Sequence, residues 1–338
     1  MRGAGKTIVH LLLPILICAL PAVGRAADAT APLVLERTIP LAGVSGRIDH
    51  MAIDLARGRL LVAELGNGTV DAIDLVSGKP VHRLTGLRDP QGIGYAPAAD
   101  VIAVTSAGDG SVHLFRGEDF APLATIDLKD DADNIRLDPS SGRLVVGYGG
   151  GALALIDPLT RSVVSRAKLA AHPEGFQIDP VAQRVFVNLP DAREIAVIDM
   201  TSGKQIATWR VPGLSDNFPM AREQSGSTVA TVYRSPPRLV LLDVPTGAMR
   251  LTIESCGDAD DVFFDEKRKR IYVSCGGGTV DVFQQEATNY RLLSRIATSA
   301  GARTSLFVPE LDRLFVAARA GVLGLDSNAA ILVFRPLP

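Results

Sequence analysis

The segment RVFVNLPDAREIAVIDMTSGKQIATW, residues 184–209, decides the fold. Its apolar residues, mostly Val, Ile, Phe and Ala, recur at alternate positions in short runs. Turn-forming residues separate the runs. Alternation with a period of two is typical of β-strands that bury one face, whereas a helix repeats its apolar positions every three or four residues. The segment therefore predicts consecutive antiparallel strands.

The same pattern returns seven times, at intervals of roughly 42 residues, which is the length of one propeller blade. The first strand of each repeat begins in DHMAID, QGIGYA, DNIRLD, EGFQID, NFPMAR, DDVFFD and TSLFVP. The third strand ends in a polar residue at Asp74, Arg116, Asp157, Asp199, Asp243 and Gln284. We predict an all-β, seven-bladed β-propeller whose blades are four-stranded antiparallel sheets.

The seventh repeat, which starts near Thr304, supplies only three strands. The segment LVLERTIPL, residues 33–41, precedes the first full repeat and resembles the outer strands KPVHRLTGL and KQIATWRVP. We expect this segment to complete the last blade, because that pairing closes the ring and removes an open sheet edge. Residues 33–338 are then one propeller domain, preceded by a short linker at 27–32.

The first 26 residues have the pattern of a secretory signal peptide. Arg2 and Lys6 precede the short apolar run IVHLLLPILICALPAV, and Gly24 and Ala26 are small residues near the expected cleavage position. The apolar run is too short for a typical membrane-spanning helix. We expect cleavage after Ala26, no stable membrane span, and a periplasmic or secreted product.

The charge of the mature chain argues against a nucleic-acid-binding role. Removal of residues 1–26 takes away Arg2, Lys6 and Arg25 and no acidic residue, which leaves 32 Lys and Arg against 37 Asp and Glu. The one basic run, EKRKR at 266–270, is typical of a solvated hairpin. Nucleic-acid-binding domains usually carry a basic stripe, so we expect no nucleic-acid partner.

Two cysteines remain after the leader, Cys256 and Cys275. The repeat places Cys256 in the loop that enters blade 6 and Cys275 at the end of the second strand of that blade. An exported pair on one face is more often structural than reactive, so we predict a disulfide. A redox-active or metal-binding thiol pair is the alternative.

The segment quoted first resembles the repeat of the YVTN family of bacterial β-propellers, whose blade reads roughly Val-Tyr-Val-x-Asn, a turn, then Val-x-Val-Ile-Asp. Residues 59–81 and 270–283 are similar but match more loosely. Many proteins of this family are exported and have no assigned reaction. The resemblance therefore implies a binding platform more readily than a catalyst.

The most specific site signal is the residue at the start of each innermost strand, because all seven of these residues have a side-chain oxygen. They are Asp49, Gln91, Asp133, Glu174, Asn217, Asp260 and Thr304. Innermost strands line the channel of a propeller, so we expect a ring around one mouth. Oxygen ligands favour a hard cation such as Ca²⁺. We predict Asp133, Glu174 and Asn217 as ligands, with Asp49 and Asp260 behind them; solvation of a water-filled channel is the alternative explanation.

Other side chains near this mouth could contact a ligand. His172 precedes Glu174 by two residues, and this pair could act as a general acid and base. Arg47 and Arg303 could bind an anion, and His50, Gln91 and Thr304 are further candidate ligand contacts. Strand alternation alone would turn His50 away from the channel.

Two functions remain open at the level of sequence. The first, which we favour, is a non-catalytic, exported propeller, expected to be a monomer, that binds a protein or small molecule at this mouth and needs no cofactor. The second is a metal-dependent hydrolase or lyase resembling the regucalcin-type lactonases, in which a channel-bound divalent ion polarises a carbonyl. The chain has no nucleophile elbow, phosphate-binding loop or haem-attachment motif.

Overall fold

Seven four-stranded antiparallel sheets form the ring of a β-propeller, as the sequence predicts. The computed structural model describes residues 1, 31–321 and 329–338. The predicted signal peptide and most of the linker lie outside these residues. Within them the structure has one short 3₁₀ helix, Leu65–Asn67, and no helix long and apolar enough to cross a bilayer.

Each blade contributes one strand to each of four concentric positions, from the channel to the outer surface. The innermost strands are β2 (Met51–Asp54), β6 (Pro90–Ala96), β10 (Ala132–Leu137), β14 (Phe176–Asp179), β18 (Ser215–Arg222), β22 (Ala259–Asp265) and β26 (Ser305–Val308). The second strands are β3 (Arg59–Glu64), β7 (Val101–Ser106), β11 (Leu144–Tyr148), β15 (Arg184–Leu189), β19 (Thr228–Ser235), β23 (Arg270–Cys275) and β27 (Arg313–Ala318).

The third strands are β4 (Thr69–Asp74), β8 (Ser111–Arg116), β12 (Ala152–Asp157), β16 (Glu194–Asp199), β20 (Pro237–Asp243), β24 (Thr279–Glu286) and β28 (Ala330–Pro336). The outer strands are β5 (Lys79–Leu84), β9 (Pro122–Asp127), β13 (Ser162–Lys168), β17 (Lys204–Trp209), β21 (Met249–Glu254), β25 (Asn289–Ala297) and β1 (Leu33–Pro40). Each innermost strand contacts those of the two neighbouring blades, and β26 contacts β2, so the ring is closed.

The N-terminal strand completes the last blade, which confirms the predicted closure. β1 pairs with β28 in an antiparallel register from Leu33 opposite Pro336 to Pro40 opposite Ala330. Ile39 lies in the apolar cluster between blades 7 and 1. The two ends of the folded chain therefore hold one sheet together.

The hydrophobic core is divided among the seven blade interfaces, and each of the seven apolar clusters joins two adjacent blades. The repeated Asp at the end of the third strand has a structural role. Asp74 accepts a hydrogen bond from the backbone N–H of Ser77 (2.7 Å), and Asp199 accepts one from Ser202 (2.7 Å). Such bonds stabilise the turn into the outer strand. The strongest repeat signal in the sequence thus reports turn formation.

Cys256 and Cys275 are joined by a disulfide, with their Cα atoms 6.0 Å apart. The bridge ties the loop before β22 to the end of β23. Both cysteines are buried in the cluster between blades 5 and 6. The backbone N–H of Cys256 also donates to the buried carboxylate of Asp281 (2.8 Å). A disulfide and a hydrogen bond to a buried carboxylate therefore hold this loop of blade 6 in place.

Shortening a buried side chain of the closing strand β1 should destabilise the whole ring. We expect Ile39→Ala to lower the free energy of unfolding by about 2–5 kcal/mol, because it leaves a cavity in a closed blade interface. Leu35→Ala in the same strand is the control. Leu35 is 49% exposed, so its loss should cost less than about 1 kcal/mol. Urea unfolding measures both variants, and equal losses would contradict closure through the buried face of β1.

Candidate functional site at the channel mouth

The predicted ring residues lie at one mouth of the channel, where the loop from each outer strand enters the next innermost strand. In four blades the pairing of the innermost strand is irregular at this point. Two residues of β10, Asp133 and Asn134, lie opposite the single residue Gly147 of β11. Register shifts at the same place occur in β6, β18 and β22. Bulges of this kind redirect side chains and are common beside functional sites.

The bulge changes which residues face the lumen. In the segments DNIRLD (133–138), EGFQID (174–179) and DDVFFD (260–265), the first residue lies at the mouth, and the second and fourth residues line the channel below it. Arg136, Gln177 and Phe263 are examples, and His50 of blade 1 also lines this channel. The expectation that strand alternation turns His50 away from the channel is therefore wrong. The lumen contains a cavity of about 270 Å³.

Asp133, His172 and Glu174 form a compact cluster at the mouth. One ligand atom from each residue lies within 4.8 Å of the other two. His172 Nε2 is 3.6 Å from Asp133 Oδ2. The loop that carries Glu174 is held by its backbone N–H, which donates to the carbonyl of Asn188 (3.0 Å). Blades 3 and 4 thus supply the three side chains of this cluster.

The orientation of His172 is fixed by the hairpin that follows β11. His172 Nδ1 donates to the carbonyl oxygen of Gly149 at 2.7 Å, which leaves Nε2 directed toward the two carboxyl groups. Gly149 has φ of 61°, a conformation that glycine adopts without strain. The glycine-rich turn at residues 149–151 therefore positions a histidine.

Glycine is also required where the His172 loop meets the next blade. A Cβ atom on Gly175 would lie 2.4 Å from the carbonyl oxygen of Phe218. The N–H of Gly175 donates to that same oxygen (3.0 Å). This close approach of two backbones places Glu174 at the edge of the channel.

Asp49 and Gln91 extend the cluster into blades 1 and 2. With its amide nitrogen facing the carboxylates, Gln91 donates to Asp133 Oδ1 (3.2 Å) and to Asp49 Oδ2 (3.1 Å). Arg47 forms an ion pair with Asp49 at 3.0 Å. Gln91 therefore orients Asp133 from behind, and Arg47 neutralises the buried Asp49.

Asp260 occupies a separate, cation-rich part of the mouth. It pairs with Arg234 at 2.6 Å and with Arg303 at 2.9 Å. Arg303 also contacts Asp258 (3.0 Å), and the Arg234 guanidinium lies 3.5 Å from the centre of the Phe218 ring. Asp260 and Arg303, which the sequence predicts as a metal ligand and an anion contact, are therefore paired with each other.

Asn217 and Thr304 do not face the channel. Asn217 is fully buried, and its amide nitrogen donates to Asn188 Oδ1 (2.9 Å) and to the carbonyl of Glu194 (3.0 Å). Thr304 is 2% exposed and donates to the carbonyl of Ile48 (3.3 Å). The hydroxyl of Thr304 is thus bonded within the protein, whereas Asn217 Oδ1, the atom that would bind a cation, has no hydrogen-bond partner in the structure, and the role of Asn217 as a ligand stays a prediction. In blade 5, the register shift of β18 that begins at Asn217 is the physical reason why this residue does not face the channel.

Burial, with a smaller contribution from neighbouring acidic groups, raises the pKa values of the carboxyl groups of Asp49 and Glu174. Burial, followed by repulsion from Asp133, raises the pKa of Glu174 to about 8. Burial raises the pKa of Asp49 to about 6, with smaller contributions from Asp133 and Asp260. The hydrogen bond to Asp133 raises the pKa of His172 to about 9. These directions report a concentration of negative charge that the neighbouring cations offset only in part.

Four further residues near the mouth are not among those that the sequence predicts. Asn134, Arg136 and Asp261 lie at the second or fourth position of the segments DNIRLD and DDVFFD, so the period-two pattern could have identified them once the lumen face was known. Arg234 lies at the end of the second strand of blade 5. Its contact with Asp260 joins neighbouring blades and leaves no local sequence signal.

No protein-family model and no curated protein sequence matches the chain. Among solved structures it is similar to a chain of hydrazine synthase from Kuenenia stuttgartiensis, with 14% identity and a TM-score of 0.74 over 93% of this chain and 98% of that one. It is also similar to a chain of the mitotic checkpoint complex, with 13% identity and a TM-score of 0.76 over 98% and 99%. At these identities the likeness shows the fold alone.

The buried position of Asn217 generates a prediction. Asn217→Ala should lower the free energy of unfolding by about 1–3 kcal/mol, because two buried acceptors lose their donor, and it should leave divalent-ion binding unchanged. Asn289→Ala removes the same group at an exposed site and should change stability by less than about 0.5 kcal/mol. Urea unfolding and calorimetric metal titration measure the two effects. Loss of metal binding with unchanged stability would show that Asn217 is a ligand.

Proposed function

We propose that this protein is an exported, periplasmic β-propeller that binds its ligand at the channel mouth through a divalent metal ion. The ring fold is compatible with a binding platform, and the sequence pattern of residues 1–26 supports export. The YVTN-like repeat supports membership of a family rich in binding propellers. The ligand itself is a small polar molecule or a polar segment of a protein.

The observation that carries this proposal is the convergence of Asp133, His172 and Glu174 within 4.8 Å. The carbonyl of Gly149 accepts the hydrogen bond from Nδ1 of the histidine, so Nε2 is the nitrogen that would bind a metal in place of its proton. Gln91 likewise orients Asp133, because its amide nitrogen donates a hydrogen bond to Oδ1 of that residue. Metal-binding histidines and carboxylates usually have such outer partners, which fix their orientation.

The donor set favours a first-row divalent ion such as Zn²⁺ over Ca²⁺. Ca²⁺ takes six to eight oxygen ligands, whereas this cluster supplies one imidazole nitrogen and two carboxylates. Three protein ligands with an open fourth position are typical of zinc sites that bind a further molecule.

The polarity of the mouth argues against a broad apolar docking surface. The large hydrophobic side chains that are exposed in the described residues from 31 onward lie on outer strands or on turns within the blades, as in Val81, Leu159, Ile206 and Met249. None lies in a loop that joins an outer strand to the next innermost strand. A polar or charged ligand therefore fits this surface better than an apolar one.

A metal-dependent hydrolase or lyase is the second candidate, favoured by the cavity beneath the cluster. In that mechanism the ion would polarise a carbonyl, and Glu174 or His172 would move a proton. The same side chains, however, cannot bind the ion and exchange protons freely. With Nδ1 of His172 bonded to Gly149 and Nε2 facing the cluster, neither nitrogen is free as a base. We therefore place binding ahead of catalysis.

Metal binding is the direct test of this proposal. Isothermal titration of metal-free protein should give one Zn²⁺ or Mn²⁺ per chain, bound more tightly than Ca²⁺. Glu174→Gln and His172→Ala should each weaken the affinity by roughly tenfold or more. Glu310→Gln is the control, because Glu310 is exposed in the turn between β26 and β27. Equal affinity in all four proteins would place the ion elsewhere, and absence of binding would refute the metal site.

A further inference from the structure

The lumen directly below the mouth carries an arginine without an acidic partner. Arg136 lies on β10 and lines the channel cavity. Its guanidinium donates to the carbonyl of Ile135 (2.8 Å) and lies 5.7 Å from the centre of the Phe176 ring. No carboxylate of the described residues comes within the 4.0 Å of an ion pair. A partly buried guanidinium without a carboxylate is a favourable partner for an anionic ligand.

A second lumen residue also lacks a partner. Asn134 is 3% exposed, and its Oδ1 has no hydrogen-bond donor in the structure. It lines a small chamber of about 20 Å³ together with Glu174, His50 and Arg136. Buried polar atoms are paired in the great majority of cases. This oxygen therefore marks a place where a ligand or a water molecule would donate a hydrogen bond.

The chamber and the larger cavity are parts of one channel, because His50, Arg136, Met220 and Asp261 line both. The larger cavity has a volume of about 270 Å³, which is near the lower limit of ligand pockets, about 300 Å³. A molecule of only a few heavy atoms fits this space. Glu174 lines the chamber, so the space connects with the metal-ligand cluster at the mouth.

The other polar groups of the lumen define which donor and acceptor groups such a molecule must have. His50 lines the same space as Arg136. Asp261 lines this space too, and one of its oxygens accepts a hydrogen bond from the backbone N–H of Ser305 (2.7 Å). Asp261 and Asn134 offer acceptors to a ligand, and Arg136 offers a planar pair of donors.

We propose that the lumen binds a small carboxylate that also carries a hydroxyl or amino donor. The carboxylate pairs with the guanidinium of Arg136, and the donor group bonds to Asn134 Oδ1 or to Asp261. This inference deepens the proposed function, in which the ligand enters at the mouth. The carboxylate site itself consists of protein groups and does not require the metal.

The test titrates the metal-free full chain with glycolate, glycine and acetate, and follows binding by calorimetry. Glycolate or glycine should bind in the millimolar range or tighter, and acetate should bind more weakly because it has no donor. Preference for glycine identifies an amino group, and preference for glycolate identifies a hydroxyl. Arg136→Gln should abolish binding. Arg291→Gln, which changes an exposed arginine on the outer strand β25, should retain it.

Circular dichroism and thermal unfolding show whether Arg136→Gln is folded. If it is not, Arg136→Lys retains the charge without the planar fork and should weaken glycolate binding by roughly tenfold. Failure of all three compounds to bind wild-type protein, or equal binding by a folded Arg136 variant, would overturn the proposal. A separate Zn²⁺ titration of the same samples distinguishes loss of the carboxylate site from failure of the metal site.

Discussion

The pairing of β1 with β28 is the constraint on which the rest of the structure depends. A propeller blade buries its faces against its neighbours, and each blade interface holds its own apolar cluster. An open ring would expose one such cluster and the edge of one sheet. With β1 in place, β26 contacts β2, and the seven innermost strands surround one channel. Asp49 of blade 1 and Glu174 of blade 4 can then reach the same mouth.

The site arises where the regular repeat is interrupted. The bulges at the entrance of β6, β10, β18 and β22 separate residues that lie at the mouth from residues that line the lumen. In β10 the bulge places Asp133 in the cluster and Asn134 in the chamber. The turn after β11 supplies the carbonyl that orients His172. A small number of backbone irregularities therefore builds a polar site within a scaffold that is otherwise stabilised by apolar contacts.

Much of the fold could be predicted from the sequence, because strand alternation, turn residues and the repeat length agree along the chain. The closing strand was also predictable, since residues 33–41 resemble the other outer strands. The site was only partly predictable. Asp133, Glu174 and His172 were found from their position, but a shift of one residue at a bulge exchanges the faces of a strand. That shift explains why Asn217 is buried. Contacts between blades, such as Arg234 with Asp260, leave no local pattern at all.

The central claim is that residues from different blades converge to bind one metal ion at the mouth. X-ray diffraction from crystals grown with Zn²⁺, measured on both sides of the zinc absorption edge, tests it most directly. The account predicts one strong anomalous peak about 2.0–2.2 Å from Nε2 of His172 and from an oxygen of Asp133 and of Glu174. Zinc bound at other positions, with no peak among these three side chains, would contradict it.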